Sequence, residues 1–221
     1  MSAVYKIGFL LYPHLTQLDL TGPAQVFARM SNVQLHFVWK NTDPVASDAD
    51  LQLMPTHSFS TCPQLDLLCV PGGPGTQRLM QDQTVLAWLH AQGQQAGFIT
   101  SVCSGSLLLG AAGLLKGYRA ASHWNYRQYL PMFGAIIDEA RVVKDRNRIS
   151  GGGVTAGIDF ALTVVAEIRG DEEAKEIQLM LEYAPQPPFH CGRPELAGEA
   201  LVARVKQKLA NAVAETSKDV A

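Results

Sequence analysis

The chain has 221 residues, with 18 basic and 20 acidic side chains that give a formal net charge of −2 at pH 7. A chain of this length fits one domain and can bury a core without disulfides or a structural metal. The near-neutral charge and the lack of an apolar stretch of about 18 residues argue against a nucleic-acid-binding or membrane-spanning protein. We therefore expect residues 1–221 to form a single domain with no nucleic-acid or membrane partner.

Short apolar runs alternate with helix-like segments along the chain. Strands are predicted at 4–12, 35–39, 65–70 and 98–102, and hairpins at 45–54 and 141–150. Helices are predicted at 22–30, where Pro23 would occupy the first turn, and at 83–95, 104–115 and 155–168. Strands that alternate with helices and are buried on both faces indicate a mostly parallel sheet. We predict a doubly wound α/β sandwich.

The C-terminal segment has a different pattern. Apolar residues recur every four positions among charged ones, at Leu201, Val205, Leu209 and Val213. This spacing predicts an amphipathic helix over about 194–215. We expect it to pack on its own domain, and docking on a second subunit is the alternative.

The cysteines give no sign of a disulfide framework. They are far apart and form no C-x-x-C pair: Cys62, Cys69, Cys103 and Cys191. The N-terminal apolar run 7–12 is too short for a secretory signal. We expect a cytoplasmic protein with reduced thiols.

The most informative stretch is the junction around Cys103, where a β-rich run ends and an apolar helix begins at once. Small residues flank the cysteine at Ser101 and Gly105. This layout is typical of a nucleophile elbow, which presents a side chain at the carboxyl edge of a sheet. The start of the helix would favour a thiolate at Cys103. The alternative is an inert core cysteine, which is how we interpret the other three.

A carboxylic acid for Cys103 must come from another part of the chain, because residues 98–137 contain none. The best candidate is Asp19, which follows the first strand and so lies at the same edge of a parallel sheet. Partial burial would raise its pKa, and the two groups would titrate as a pair that shares one proton. A helix cap before Thr21 is the alternative role.

Two glycine-rich turns, 70–75 and 151–157, can bring backbone amides close to an anion, or can be tight turns only. Neither is a dinucleotide or phosphate-loop motif. The histidines show no metal-ligand spacing, so we predict no metal site. The role of His123, just after the elbow helix, stays open.

Taken together, five segments resemble the ThiJ/PfpI superfamily and, within it, the isocyanide hydratase branch. The resemblance covers residues 4 to about 189 and rests on QLDLTGP (17–23), VPGGPG (70–75), TSVCSGSLLLGAAGLL (100–115), ASHW (121–124) and GGGVTAGIDFAL (151–162). It implies a flavodoxin-like, class I glutamine amidotransferase-like fold and a homodimer.

The resemblance also implies roles for single residues. Cys103 would be the nucleophile, Asp19 the acid/base and Ser104 the hydroxyl residue after the cysteine, where close hydratases commonly have threonine. The backbone amides of Gly73 and Val154 would lie near the thiolate. Proteases of the superfamily have histidine after the cysteine and the glyoxalase branches usually have glutamate at the Asp19 position, so both activities are disfavoured. Only some 30 residues follow the core, too few for a fused transcriptional regulator.

The implied reaction is hydration of an isocyanide to an N-substituted formamide through a thioimidate on Cys103. It involves no redox change and therefore no cofactor. The alternatives are a glyoxalase-like enzyme acting on small dicarbonyls and a redox sensor based on Cys103. Trp124 and Tyr183 are candidates either for the substrate pocket or for core packing.

Overall fold

A computed structural model describes residues 3–216 of the chain. Its strands, in chain order, are β1 (Tyr5–Leu10), β2 (Val33–Trp39), β3 (Val45–Ala46), β4 (Gln52–Leu53), β5 (His57–Ser58), β6 (Leu67–Val70), β7 (Phe98–Val102), β8 (Arg119–Ala120), β9 (Ile136–Ile137), β10 (Val142–Asp145) and β11 (Arg148–Gly151). Its α-helices are α1 (Gln17–Phe27), α2 (Thr76–Leu79), α3 (Gln83–Gln95), α4 (Gly105–Ala111), α5 (Ala156–Arg169), α6 (Asp171–Met180), α7 (Pro194–Ala197) and α8 (Glu199–Thr216). A 3-10 helix spans Arg127–Phe133.

Seven strands form the central sheet, in the order β10-β11-β7-β6-β1-β2-β5. All neighbouring pairs are parallel except the β10–β11 hairpin at one edge. Strands β6 and β7 are almost fully buried, as expected of the centre of a sheet that is covered on both faces. Helices α1, α5 and α6 pack together, as do α2, α3 and α4. The predicted doubly wound, flavodoxin-like α/β sandwich is confirmed.

Helix α1 begins at Gln17, five residues before the predicted start, so Pro23 lies inside the helix. The prediction was wrong because proline was placed in the first turn, where it is best tolerated. Packing against α5 accounts for the difference. A Cβ atom on Gly157 would lie 3.2 Å from the Pro23 ring, and one on Gly22 would lie 3.4 Å from Ile158. This close contact between α1 and α5 offsets the loss of one helical hydrogen bond at Pro23.

Two other helices are shorter than predicted, and each ends near a glycine with positive φ. Helix α4 stops at Ala111, and Gly113 follows with a φ of 76°. The C-terminal helix is divided into α7 and α8 by Gly198, which has a φ of 77°. Both glycines adopt a conformation that terminates helices. Helix α6 was not predicted from the sequence.

No residue of α8 is buried, although its last turns lie over the domain. The helix is thus only loosely covered by the rest of the described chain. Residues 1–2 and 217–221, which the single-domain prediction includes, lie outside the described residues. Among residues 3–216, no helix is both long and apolar enough to cross a bilayer.

Candidate active site

The turn between β7 and α4 places Cys103 at the carboxyl edge of the sheet. Cys103 has a φ of 58°, in the left-handed region, where a non-glycine residue costs about 1–2 kcal/mol. Its amide donates hydrogen bonds to the carbonyl oxygens of Gly151 and Gly152, at 3.2 and 2.8 Å. These contacts hold the strained turn in place, as the predicted nucleophile elbow requires.

Gly105 allows the turn to lie directly against the end of β6. A Cβ atom at this position would lie 2.1 Å from the carbonyl oxygen of Val70 and 2.7 Å from that of Pro71. Both oxygens belong to backbone that cannot move without disturbing the sheet. The elbow therefore needs glycine for space rather than for backbone freedom.

We expect Gly105→Ala to destabilise the protein by about 3 kcal/mol or more, because the methyl group overlaps with backbone atoms. Gly192→Ala is the matched control, since a Cβ atom there meets nothing within 4 Å. The control should change stability by less than about 0.5 kcal/mol. Urea denaturation of the two variants measures the difference, and similar midpoints would contradict this account of the elbow.

Asp19 lies in the first turn of α1 and is fully buried. Its Oδ2 accepts a hydrogen bond from the amide of Gly72 at 2.9 Å, so the carboxyl is directed toward the sheet edge rather than capping its own helix. Thr16 occupies the N-cap position instead. Burial raises the pKa of Asp19 from 3.8 to about 7, against the opposing effects of the Gly72 amide and the Cys103 thiol. The carboxyl is therefore near the middle of its titration at neutral pH.

Asp19 and Cys103 interact electrostatically. Burial and the neighbouring Asp19 carboxylate raise the pKa of the Cys103 thiol well above its usual value. Asp19 Oδ1 is buried without a hydrogen-bond partner of standard geometry among the described residues. Contact with the Cys103 thiol nevertheless lowers the pKa of the Asp19 carboxyl, and the same contact raises the pKa of the thiol. Two groups that interact this closely are expected to titrate as a pair.

The start of α4 was expected to favour a thiolate by lowering the pKa of Cys103, but in the structure this pKa is raised. The amide and hydroxyl of Ser104 do act to lower the pKa of Cys103. They are outweighed, because Cys103 is only 5% exposed and lies beside a carboxyl group. In its resting state Cys103 is therefore a thiol rather than a thiolate.

The glycine turn after β6 holds two of the predicted residues. The Gly72 amide binds Asp19, as described above, and the Gly73 amide donates to Ser104 Oγ at 3.0 Å. A Cβ atom on Gly72 would lie 2.5 Å from the Ser104 nitrogen, so this turn packs directly on the elbow. The Gly73 amide, predicted to lie near the thiolate, is engaged by the hydroxyl next to it. Sequence reasoning missed Gly72, whose partner is 53 residues away.

A cavity of about 350 Å³ opens beside Cys103. Its walls come from the sheet edge, from the turns around it and from the last turns of α8: His14, Thr16, Asp48, Gly73, Pro74, Cys103, Ser104, His123, Tyr126, Val154, Leu209, Ala212, Glu215 and Thr216. Four of the five predicted site residues line this cavity. The fifth, Asp19, is fully buried and does not line it. The cavity is large enough for a small organic molecule.

His123 and Tyr126 are two of the three aromatic side chains among the described residues that line this cavity, and His14 is the third. Burial lowers the pKa of His123 to about 4, so its ring is neutral at physiological pH. Its Nδ1 accepts from the Asn125 amide at 3.3 Å, which assigns the ring hydrogen to Nε2. Burial also raises the pKa of Tyr126, and Cys103 adds to that effect. Their proximity in sequence to the elbow helix was the available signal, but it left the role of His123 open.

The other two aromatic candidates lie elsewhere. Trp124 lines a neighbouring cavity of about 620 Å³, which shares His123 and Val154 with the first. The Tyr183 hydroxyl donates to Asp159 at 3.0 Å. Tyr183 lines neither of these two cavities.

The remaining cysteines have no comparable setting. Burial raises the pKa of Cys62 to about 11 and that of Cys69 to about 12, and Cys191 is exposed. All four cysteines are free. Within residues 3–216, no group of three or more histidine, cysteine, aspartate or glutamate side chains is arranged to hold a metal ion.

Comparison with known proteins gives a consistent result. An isonitrile hydratase of Pseudomonas putida is 53% identical over 205 residues, which cover 93% of this chain and 90% of that protein. A crystal structure of a ThiJ/PfpI family protein from Pseudomonas syringae superposes with a TM-score of 0.89 at 49% identity, over 97% of this chain and 88% of the other. An HTH-type transcriptional regulator of Pseudomonas aeruginosa is 31% identical over 80% of this chain but only 50% of its own length.

The family model confirms the resemblance that the motifs indicated. The DJ-1/PfpI family model matches residues 5–167, a range that includes Asp19, the glycine turn, the elbow and Val154. Together with the isonitrile hydratase relative, this match covers the sheet and all the predicted site residues. The chain belongs to the DJ-1/PfpI family.

Proposed function

We propose that the protein hydrates isocyanides, R–N≡C, to N-substituted formamides, R–NH–CHO. The observation that carries this proposal is the pairing of Cys103, which lines a cavity, with the buried carboxyl of Asp19. The pKa of that carboxyl is about 7, which suits a group that both takes and gives a proton at neutral pH. The 53% identity to an isonitrile hydratase supports the same substrate class.

In the first half of the reaction, Cys103 Sγ attacks the terminal carbon of the isocyanide. Asp19 takes the thiol proton as the C–S bond forms and then delivers it to that carbon. The product is a thioimidate, R–N=CH–S–Cys103. Because the pKa of the thiol is raised, removing its proton only as sulfur attacks avoids forming an unstable free thiolate.

In the second half, Asp19 removes a proton from water, and the resulting hydroxide adds to the thioimidate carbon. Asp19 then delivers the proton it took from water to the nitrogen, giving R–NH–CH(OH)–S–Cys103. Collapse of this adduct breaks the C–S bond, forms the formamide carbonyl and returns the remaining proton to the sulfur. The substrate is neither oxidised nor reduced overall, so these reaction steps need no redox cofactor.

Four further residues act around this pair in the proposal. Ser104 places a hydroxyl beside the sulfur, and the Gly73 amide fixes that hydroxyl at 3.0 Å. Val154 contributes to the wall of the same cavity, and its backbone amide is expected to lie near the thiolate. Neutral His123, on the same wall, keeps the cavity free of a competing positive charge.

The raised pKa of Cys103 bears on the redox-sensor alternative. Sensor cysteines are exposed and have a lowered pKa, which makes them prone to oxidation. Cys103 is nearly buried and has a raised pKa. The chemistry of its surroundings therefore favours catalysis over sensing.

Product identity tests the function directly. We expect purified protein to convert an aryl isocyanide to the corresponding formamide, and to leave methylglyoxal unchanged, when both reactions are followed by chromatography with mass detection. Lactate from methylglyoxal without formamide would replace the hydratase by a glyoxalase-like enzyme. Turnover of neither compound would remove both enzymatic functions.

We also propose a homodimer that acts on a small-molecule substrate. Besides the family resemblance, the support is a set of large apolar side chains left exposed on the chain, including Met132, Leu179, Met180, Phe189 and Leu196. Sedimentation of the purified protein at the monomer mass would contradict the dimer.

A further inference from the structure

Three buried hydroxyl groups form a chain that leads away from Cys103. Ser104 Oγ lies 3.0 Å from Thr76 Oγ1, and Thr76 Oγ1 lies 3.1 Å from the Tyr12 hydroxyl. The Tyr12 hydroxyl lies 2.9 Å from the carbonyl oxygen of Pro71, where the chain ends. All three side chains are at least nine-tenths buried, so water does not compete for their hydrogens.

Counting hydrogens fixes the direction of this chain. Each hydroxyl has one hydrogen to donate, and a carbonyl oxygen can only accept. Tyr12 gives its hydrogen to Pro71, so Thr76 must donate to Tyr12, and Ser104 must donate to Thr76. The Gly73 amide donates to Ser104 Oγ at 3.0 Å, while the Gly73 carbonyl oxygen is a more distant acceptor, at 3.5 Å. The Ser104 hydrogen is therefore directed at Thr76.

We propose that Thr76 and Tyr12 are positioning residues that draw the Ser104 hydroxyl hydrogen away from the Cys103 sulfur. Ser104 stabilises a thiolate most strongly by donating that same hydrogen fully to the sulfur, and competition from Thr76 weakens this donation. To do so it must leave Thr76, or the whole chain must reverse and Tyr12 must release the Pro71 carbonyl. These three hydrogen-bonded hydroxyl groups, of Ser104, Thr76 and Tyr12, form a hydroxyl relay. The relay thus favours the thiol form of Cys103 until Asp19 takes its proton. This role rests on the proposed function only in treating Cys103 as the nucleophile.

Other ionisable groups lie near Cys103, and their charges must stay constant in any test. Burial raises the pKa of Tyr12 well above its usual value, so this residue is uncharged and its replacement by phenylalanine removes no charge. Asp19 lies on α1, Tyr12 follows β1, and Tyr126 precedes the 3-10 helix. The other ionisable groups line the cavity: His14, Asp48, His123 and, on α8, Glu215. A substitution at Thr76 removes none of them, and Tyr12, which loses its hydrogen bond to Thr76, is itself part of the hydroxyl chain. A change in Cys103 ionisation in a Thr76 variant therefore reports on the relay.

The test is the pH dependence of Cys103 alkylation by iodoacetamide, with the adduct identified by mass spectrometry. A Cys62→Ala, Cys191→Ser background removes the two more accessible thiols, and Cys69 is fully buried. We expect Thr76→Val to lower the alkylation midpoint by about one pH unit, because the freed Ser104 hydrogen can turn to the sulfur. Below both midpoints this means roughly tenfold faster alkylation.

Two further variants keep the result interpretable. Thr76→Ser retains a hydroxyl and should restore the parent midpoint. Tyr12→Phe leaves the Thr76 hydrogen free to turn toward Ser104, so it should also lower the midpoint, and it carries the test if Thr76→Val fails to fold. An unchanged midpoint in the valine and phenylalanine variants would overturn the relay, and a raised midpoint would show that it runs in the opposite direction. Because alkylation needs no isocyanide turnover, the relay and the hydratase function can fail independently.

Discussion

Cys103→Ala is expected to reduce formamide formation by about 10⁴-fold or more, to the level of the uncatalysed reaction. Removal of a catalytic nucleophile costs factors of this size because no covalent intermediate can form. The other cysteines are not placed to replace it, since Cys69 is fully buried within β6 and neither Cys62 nor Cys191 lines the cavity. Initial rates with an aryl isocyanide measure the effect.

The control is Cys62→Ala, which removes a half-buried thiol away from the cavity and should retain full activity. Near-ultraviolet circular dichroism of both variants checks that the fold is kept. Substantial formamide formation by Cys103→Ala would mean that hydration proceeds without a covalent adduct. In that case water would attack the isocyanide directly, and the thioimidate would have to be abandoned.

Asp19→Asn is expected to lower turnover by about 10²–10⁴-fold while the protein stays folded. An asparagine side chain keeps the shape of aspartate and can still accept the hydrogen bond from the Gly72 amide, but it cannot take a proton from the thiol or from water. Steady-state rates of formamide formation measure the loss. Undiminished rates would remove Asp19 from the mechanism.

The same variant should differ from the parent in the pH dependence of its stability. Asp19 has a pKa of about 7 in the fold against 3.8 as the reference value. Between these values the folded protein binds more protons than the unfolded chain, so the free energy of unfolding falls as pH rises. The full effect is about 4 kcal/mol at 1.36 kcal/mol per pKa unit. Below about pH 4 this penalty is absent, and above about pH 7 it is complete.

Asp19→Asn lacks this titration. Its stability relative to the parent should therefore increase by about 4 kcal/mol between pH 4 and pH 8. Urea denaturation of both proteins at the two pH values measures the change. A constant difference would mean that the pKa of the buried carboxyl is ordinary, which would also remove the basis for its role as a base at neutral pH.

The sequence predicted well those features that depend on neighbouring residues. Helix α3 and strand β7 have the predicted bounds. The sharp turn at Cys103 lies where the small residues on either side of the cysteine indicated. Asp19 was placed at the same sheet edge because strands β1 and β7 run parallel. The periodicity of buried residues and the order of elements were sufficient for these predictions.

Features that depend on distant contacts could not be predicted in the same way. The start of α1 depends on its packing against α5, which overrides the local preference of Pro23. The raised pKa of Cys103 depends on how deeply the sulfur is buried, whereas its position at a helix start indicated the opposite direction. The hydroxyl chain joins Tyr12, Thr76 and Ser104, residues that no local motif brings together.

The turn at 71–75 binds the acid through one amide and the hydroxyl of the elbow through the next. These two groups therefore cannot be adjusted separately by mutating that segment: a shift of its backbone displaces both in concert. To change the position of the Asp19 carboxyl alone, substitutions have to be made in α1, the helix that carries it. Inserting even one residue between the two glycines would break both hydrogen bonds at once, so we expect variation in the length of this turn to be incompatible with activity.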